Sequence, residues 1–509
     1  MKLNILVGGK AGQGPNIVSE IICRGIIAKG YNVFNSREYG SLIRGGHNYN
    51  LISVSEKPIA SNFSDSNIDI LVCLDENTEN IHKESLNKKG IVLKPVAEKG
   101  NMFYAGEVFK ILDLDFKILE QELKKLAKGF EQNLKDAKEG YNKEKRRLLF
   151  PKIKRYKEIE FMSGSEAIAQ ATVKSGLDFY YSYPMTPATP VMEEIAQMQK
   201  EPKSKHIAIE LEGEIAVINA ALGSAIVGAV SMIGTSGGGF DLMTEALSLA
   251  GMAEIPIVIY LAQRPGPSTG MPTYTSQGDL NVARFGGHGE FTRVVIAPGD
   301  AKEAIQATTE ALFISQKFRI PVIVLGDKHL AESKYSFINN VKIIETKSSI
   351  KPGERFNSYE HEPKTAITTD KQDLVNKNFE RRIAKQKGIE EFLSKNSQEF
   401  KIHGKEDSKN LIVGWGSTKG AILDAITYNQ LDAKFLQIIY IEPFSEKLKQ
   451  EIKKHKPENI IVVENNASSQ LSKLIAEKTC ISVKNKILRY DGRPFLSDEL
   501  SKELKRRLR

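Results

Sequence analysis

Three doubly wound α/β units joined by charged linkers are what this sequence predicts, on three observations. Short apolar runs bounded by glycine or proline alternate with segments of helical periodicity through most of the chain. The alternation breaks twice, at a Lys/Glu-rich amphipathic stretch after residue 115 and at a charged stretch over 341–407. At 509 residues the chain is too long for one core, and about three domains are expected.

The first unit, residues 1–155, opens with an apolar run at 3–8 that stops at Gly8-Gly9-Lys10-Ala11-Gly12-Gln13-Gly14. A helix over 17–28 follows, then strand-like runs at 31–34, 49–54, 68–74 and 90–93. Leu119, Leu123, Leu126, Phe130, Leu134, Ala137 and Tyr141 recur at steps of three or four. They predict one amphipathic helix over 116–141 whose apolar face packs on a neighbouring domain or subunit, with a plain surface helix as the alternative. Residues 143–155 are a basic linker.

The second unit, 156–340, has a helix at 165–174 and strands at 179–183, 229–233, 257–261, 293–296 and 322–325. The stretch 341–407 is a linker with one helix at about 371–395. The third unit, 408–509, has its clearest strands at 411–414, 435–440 and 460–464.

Composition excludes several classes. The net charge of +9 is modest and its lysines are scattered, which fits a solvated basic surface and not a nucleic-acid binder. Cys23, Cys73 and Cys480 lie far apart without a CxxC pair, so this chain alone cannot furnish a four-thiolate iron–sulfur or Cys-rich zinc site. No metal ligand set is assigned to it. Buried, reduced thiols suit a cytoplasmic protein. The first ten residues form a strand and lack the apolar core of an export signal. Residues 215–240 carry no charge, but Asn219, Ser224, Ser231 and several glycines interrupt them and three glutamates abut them. A buried helix followed by a buried strand is expected there, not a membrane span. A mean hydropathy of -0.30 agrees.

The candidate chemistry sits at turns that follow strands. Glycines at Gly12 and Gly14, before a helix, let backbone N–H groups approach a phosphate. The spacing is not GxGxxG and no ribose-binding acid follows the second strand, so a nicotinamide site is not supported; a ligand-free tight turn is the alternative. Arg44, in Arg44-Gly45-Gly46-His47, suits an anion. In the second unit, Tyr183-Pro184-Met185-Thr186-Pro187 sets a hydroxyl between two prolines at a strand end, where ligands of open α/β sheets bind. Glu210-Leu211-Glu212-Gly213-Glu214 leads into the uncharged segment. A carboxylate there is either a helix-dipole partner or a group sharing a proton with a heterocyclic nitrogen. Thr235-Ser236-Gly237-Gly238-Gly239-Phe240 is a further strand-to-helix turn. The loop from Gln263 and Arg264 to Thr273 is rich in glycine and proline and combines one fixed cation with hydroxyls, a composition that suits a carboxylate or phosphate. Gln277-Gly278-Asp279-Leu280 closes it.

The ordered set YPMTP, ELEGEIAVINAALGSAIVGA, TSGGGFDLMTEAL, MAEIP and QRPGPSTGMPTYTSQGDL closely resembles the α subunit of 2-oxoacid:acceptor (ferredoxin) oxidoreductases. GGKAGQG and REYGSLIRGGHN resemble the γ subunit of that family, here fused ahead of α. VGWGSTKG, IEPFSE and VVENNASSQL resemble its transketolase C-terminal-like domain. The resemblance covers nearly the whole chain.

It implies a γ-like domain, a domain that holds the pyrimidine of thiamine diphosphate, and a transketolase C-terminal-like domain. A β subunit would carry the diphosphate site with Mg²⁺ and a [4Fe–4S] cluster, since no GDG…N motif occurs here. The assembly would be a heterodimer or (αβ)2. The implied reaction is coenzyme A-dependent oxidative decarboxylation of a 2-oxoacid with reduction of ferredoxin. 2-Oxoglutarate is favoured, with pyruvate or a branched-chain 2-oxoacid as alternatives. By resemblance Glu214 bonds the pyrimidine nitrogen, with Glu212 the alternative if the alignment slips by two. Tyr183, Pro184 and Thr186 flank the cofactor; Thr186, Arg264 and Thr273 meet the substrate; Tyr274 tunes its size. Gly12, Gly14 and Arg44 are coenzyme A or docking positions. Two other classes compete. A transketolase or dehydrogenase-complex component would lack the γ-like region. A non-catalytic nucleotide-binding α/β protein would leave Glu214, Thr186 and Arg264 unexplained.

Overall fold

The computed structural model describes residues 2–40, 46–126, 128–148, 150–154 and 158–508. It divides into two compact units. The first comprises Met1–Met162, Ser333–Asn340 and Leu496–Lys502; the second comprises Ser163–Glu332, Val341–Phe495 and Glu503–Arg509.

The first unit is built on β1 (Lys2–Lys10), β2 (Asn32–Glu38), β3 (His47–Ser55), β4 (Ile68–Cys73), β5 (Leu86–Leu93) and β6 (Glu160–Ser163). The remaining strands are β7 (Phe179–Ser182), β8 (Ile207–Glu210), β9 (Ser231–Thr235), β10 (Ile257–Gln263), β11 (Val294–Ile296), β12 (Pro321–Asp327), β13 (Lys334–Phe337), β14 (Phe400–Gly404), β15 (Leu411–Trp415), β16 (Lys434–Ile438), β17 (Tyr440–Glu442), β18 (Ile460–Glu464) and β19 (Asn485–Leu488). Three sheets result, ordered β5-β4-β1-β3-β2-β13-β6, β17-β11-β12-β10-β9-β7-β8 and β14-β16-β15-β18-β19.

The first sheet is mixed. β1 runs parallel to β4 but antiparallel to β3, and β2 is antiparallel to β3. The chain between Glu38 and His47 is too short for the dozen or more residues a parallel crossover needs. The strand β13, far along the chain, pairs antiparallel with β2. The amphipathic stretch after residue 115 differs from expectation. It forms two helices, Phe116–Lys124 and Phe130–Lys143, the second entered through Gly129 at φ 74. Its apolar face is used inside its own unit. Leu119, Leu123 and Ala137 are fully buried in the first core. Gly106 and Gly140 let the helices Asn101–Ile111 and Phe130–Lys143 touch backbone to backbone, because a Cβ on either would strike the carbonyl of Ala137 or Phe103.

In the second unit β8, β7, β9, β10, β12 and β11 are all parallel, and β17 closes the edge antiparallel. Strands β9, β10 and β12 are buried along their whole length, as apolar strands covered on both faces must be. The third sheet starts inside the stretch expected to be linker. Phe400–Gly404 pairs antiparallel with β16, after the helix Gln372–Asn396. A buried ion network ties helix Ala301–Phe318 to the third sheet: Glu303 takes Lys419 at 2.6 Å, Lys401 at 2.7 Å and Gln437 at 2.6 Å. Burial would raise the Glu303 carboxyl, but the two lysines outweigh it and hold it well below the usual range.

Candidate active site

The carboxyl ends of four neighbouring parallel strands, β8, β7, β9 and β10, deliver the sequence-predicted residues of the second unit to one edge of the sheet. Parallel strands present their following loops on the same side, so this clustering is a consequence of topology.

After β7 the chain turns at Tyr183, which is exposed, and Pro184. Met185 O then accepts from Ala188 N at 2.8 Å and starts the helix Thr189–Met198. Thr186, half-buried, turns its carbonyl to Arg264. The guanidinium Nη1 donates to Thr186 O at 2.7 Å, so the threonine turn and the arginine loop form one structure. Arg264 has no ion pair and no other side-chain hydrogen bond among the described residues, and burial draws its guanidinium below its ordinary value. Its other N–H donors remain available to an anion.

Glu214 opens the helix Glu214–Ile226 behind Gly213 and is only 7% exposed. Its carboxyl makes no hydrogen bond and no ion pair to the described residues. Glu212, two residues earlier, is exposed. The turn after β9 explains the burial. A Cβ on Gly239 would come 2.7 Å from Glu214 Cγ, 2.9 Å from Glu214 Oε1 and still closer to Thr235 Oγ1. Glycine is required there for the helix Gly237–Ala253 to start against the glutamate. Ser236, at the N-cap of that helix, is fully buried and its Oγ has no partner among the described residues.

The loop after β10 is shaped by Gly270, at φ 52, where any Cβ would run into Pro265 O, itself the acceptor for Met271 N at 2.9 Å. Thr273 is 3% exposed, and Tyr274 lies under the Arg493 guanidinium at 5.6 Å. Beyond it, Gln277 locks the loop to the third sheet. Its Nε2 donates to Trp415 O at 2.8 Å and its Oε1 accepts from Asn465 N at 3.0 Å. A cavity of about 440 Å³ lies between this loop and residues Asn466–Gln470, with Asp279 and Tyr490 in its wall.

Asp279 had been given no chemical role from the sequence. Its N–H donates to the buried Gln263 Oε1 at 2.9 Å, and a Cβ on Gly237 would come 2.7 Å from its Oδ2. Burial, reinforced by Asp241 and offset by Arg264, pushes its carboxyl up to about 6. Only the placement of an acid directly after the arginine loop could have marked it.

In the first unit Gly12 and Gly14 adopt φ 91 and 78, and Gly14 precedes the helix Pro15–Ala28. Arg44 lies outside the described residues. Among the described residues no group of three or more His, Cys, Asp and Glu could hold a metal ion, and no helix is long and apolar enough to cross a membrane.

The class of protein follows from comparison with known families. Residues 170–400 match the family model for the thiamine-diphosphate-binding part of pyruvate flavodoxin/ferredoxin oxidoreductases, and residues 4–99 match that for pyruvate ferredoxin/flavodoxin oxidoreductase. The 2-oxoacid:ferredoxin oxidoreductase subunit alpha of a Sulfolobus species is 30% identical over 623 aligned positions, spanning 99% of this chain and 96% of the relative. The 2-oxoglutarate synthase subunit KorA of Methanocaldococcus jannaschii is 32% identical over 333, spanning 60% and 88%. The fold also matches the solved 2-oxoglutarate:ferredoxin oxidoreductase of Magnetococcus marinus across 100% of both chains, with a TM-score of 0.86 at 23% identity. The chain belongs to the family of 2-oxoacid:ferredoxin oxidoreductase alpha subunits.

Proposed function

We propose that this chain, with a β subunit, catalyses coenzyme A-dependent oxidative decarboxylation of a 2-oxoacid and passes the electrons to ferredoxin in the cytoplasm. 2-Oxoglutarate is the favoured substrate, in keeping with the relatives named 2-oxoglutarate synthase. The observation that carries this reading is the buried Glu214 carboxyl without a partner among the described residues. A carboxyl so placed is costly unless a ligand atom completes it.

Thiamine diphosphate fits that vacancy chemically, because its aminopyrimidine offers a ring nitrogen to the carboxyl. The unpartnered Ser236 Oγ and the open surface of Gly238 suit a flat polar ring. When bound, the cofactor supplies the electron sink for decarboxylation. Glu214 holds and moves a proton at the pyrimidine nitrogen. Tyr183 and Pro184 wall the cofactor. Arg264, held by the Thr186 carbonyl, orients the substrate carboxylate, and Thr186 and Thr273 line its path. The β subunit contributes the diphosphate grip, Mg²⁺ and a [4Fe–4S] cluster, in a heterodimer or (αβ)2. We place the working domains at 1–155, 156–340 and 408–509, with 341–407 between them, and coenzyme A or docking contacts at Gly12, Gly14 and Arg44.

Co-expression with the β subunit, then a 2-oxoacid panel with coenzyme A and a viologen dye, tests the reading. Dye reduction with 2-oxoglutarate above the other acids is the expected result. No turnover with any 2-oxoacid, despite bound cofactor and intact cluster, would refute it.

A further inference from the structure

Asp279 stands at the candidate site, and the function proposed above gives it no part. Its place is fixed by its own backbone. The Asp279 N–H donates to the buried Gln263 Oε1 at 2.9 Å, and the next residue begins the helix Leu280–Phe285. The carboxyl reaches the turn after β9. A Cβ on Gly237 would stand 2.7 Å from Oδ2 and 3.1 Å from Cγ, so glycine there admits the carboxyl to the start of the helix Gly237–Ala253. A Cβ on Gly239 would stand 2.9 Å from Glu214 Oε1. One glycine turn therefore has Asp279 against its first residue and Glu214 against its third.

The charges around Asp279 come from three elements. Arg264 lies on the loop before it, Asp241 on the helix Gly237–Ala253, and Glu214 at the start of its own helix across the turn. Across the cavity of about 440 Å³ the segment after the last strand of the third sheet contributes the phenol of Tyr490, and no second charged side chain lines that cavity among the described residues. The Asp279 carboxyl makes no hydrogen bond and closes no ion pair among the described residues, although it senses the charges of Arg264 and Asp241. Arg264 is equally open, since its one side-chain hydrogen bond among those residues runs to Thr186 O at 2.7 Å.

An arginine and a carboxyl that interact without pairing leave the arginine free to change partner. An ionised Asp279 cancels part of the Arg264 field. A 2-oxoacid brings a carboxylate to the same guanidinium, and 2-oxoglutarate brings a second negative charge. Substrate and ionised Asp279 then repel one another in a half-buried site, where solvent ions screen weakly. A proton on Asp279 removes the repulsion. Burial and Asp241 already push its carboxyl up to about 6, so a bound anion has only a small further rise to supply near neutral pH.

We infer that Asp279 sets the charge that the substrate site accepts: it takes one proton from solvent as the 2-oxoacid carboxylate seats on Arg264, and returns it when that charge departs. The ligand in this inference rests on the function proposed above. The group that takes the proton rests on the placement of Asp279 between Arg264, Asp241 and the glycine turn.

The test uses the full chain co-expressed with its β subunit and loaded with thiamine diphosphate. The probe is N-oxalylglycine, a 2-oxoglutarate analogue whose amide carbonyl resists attack. Titration calorimetry in two buffers of different ionisation enthalpy counts the protons taken up. At about pH 6.5 roughly half a proton or more per site is expected, with affinity falling about fivefold between about pH 5 and 7. Asp279→Asn keeps the side chain's shape and should bind without proton uptake, with affinity level over that range. Asp241→Asn removes a like charge and should move the uptake to lower pH, a shift that a merely structural Asp279 would not give. Binding without uptake in wild type, equal uptake in Asp279→Asn, or an unmoved step in Asp241→Asn would overturn the inference and leave the function standing. Uptake with oxamate, the pyruvate counterpart, together with no binding of N-oxalylglycine would uphold the inference and refute 2-oxoglutarate as substrate. A complex that binds neither analogue would refute both.

Discussion

The glycine-rich strand-to-helix turns after β1 and after β9 differ in what they leave unfinished. In the first unit, the turn after β1 is braced by side-chain amides. Gln13 Oε1 accepts from Lys10 N at 2.7 Å, and Asn101 Nδ2 donates to Gln13 O at 3.0 Å. The Asn101 amide also fills the space beside Gly14. In the second unit, the turn after β9 stands against the Glu214 carboxyl, and neither that carboxyl nor the Ser236 Oγ has a partner among the described residues. Both turns have the backbone of a ligand site and buried polar atoms beside them, His47 Nδ1 and Asp75 Oδ2 at the first and Ser236 Oγ at the second, but only the second stands against a buried glutamate at a helix start. Glycine spacing therefore marks a tight turn, and a buried carboxyl without a partner marks the site.

The largest effect that sharpens this contrast is expected from Glu214→Ala. Turnover should fall roughly 10²–10⁴-fold in a complex that still assembles. Arg264→Lys should come next. It loses the forked geometry that reaches both Thr186 O and a substrate carboxylate, and the KM for the 2-oxoacid should rise roughly 10- to 100-fold with kcat less affected. An unchanged KM would remove Arg264 from the substrate.

Asp279 gives a smaller, pH-dependent effect. Its carboxyl is pushed up to about 6, so below that pH it is neutral and leaves the Arg264 charge unopposed. As pH rises through 6 it ionises beside Arg264 and Asp241, and the site becomes less favourable to an anion. The KM should therefore rise between about pH 5 and 7, and Asp279→Asn should abolish that step. Because burial raises this carboxyl above its ordinary value, the same residue stabilises the fold at low pH and loses that contribution as pH climbs to about 6. The smallest catalytic effect belongs to the turn after β1. Gly14→Ala forces a side chain into φ 78 against Asn101 and should destabilise by about 1–2 kcal/mol, read as a lower Tm, and raise the KM for coenzyme A with kcat unchanged. A fall in kcat without a fall in Tm would instead give that turn a catalytic part.

Much of the site was legible because parallel strands put their following loops at one edge. The proline-bracketed Thr186, the Glu214 helix start and the Arg264 loop can each be read from the sequence as strand-end features. Other features depended on distance contacts that sequence does not carry. Asp279 is perturbed by burial and by Asp241, neither visible in a linear motif. The strand Phe400–Gly404 exposes part of its surface and sits in a charged stretch, so its alternation of Phe400 and Ile402 was too short to register. The break between Phe116–Lys124 and Phe130–Lys143 escaped because apolar spacing continues across it, although Gly129 turns the backbone left-handed. The pairing of β13 with β2 spans some three hundred residues and no local signal encodes it.

The central claim concerns a proton at one carboxyl, and it can be measured without substrate. Deuterium exchange at the thiazolium C2 of thiamine diphosphate, followed in the assembled complex before any 2-oxoacid is added, should be roughly 10²–10⁴-fold faster in wild type than in Glu214→Gln. Equal exchange rates, with cofactor bound in both, would contradict the assignment.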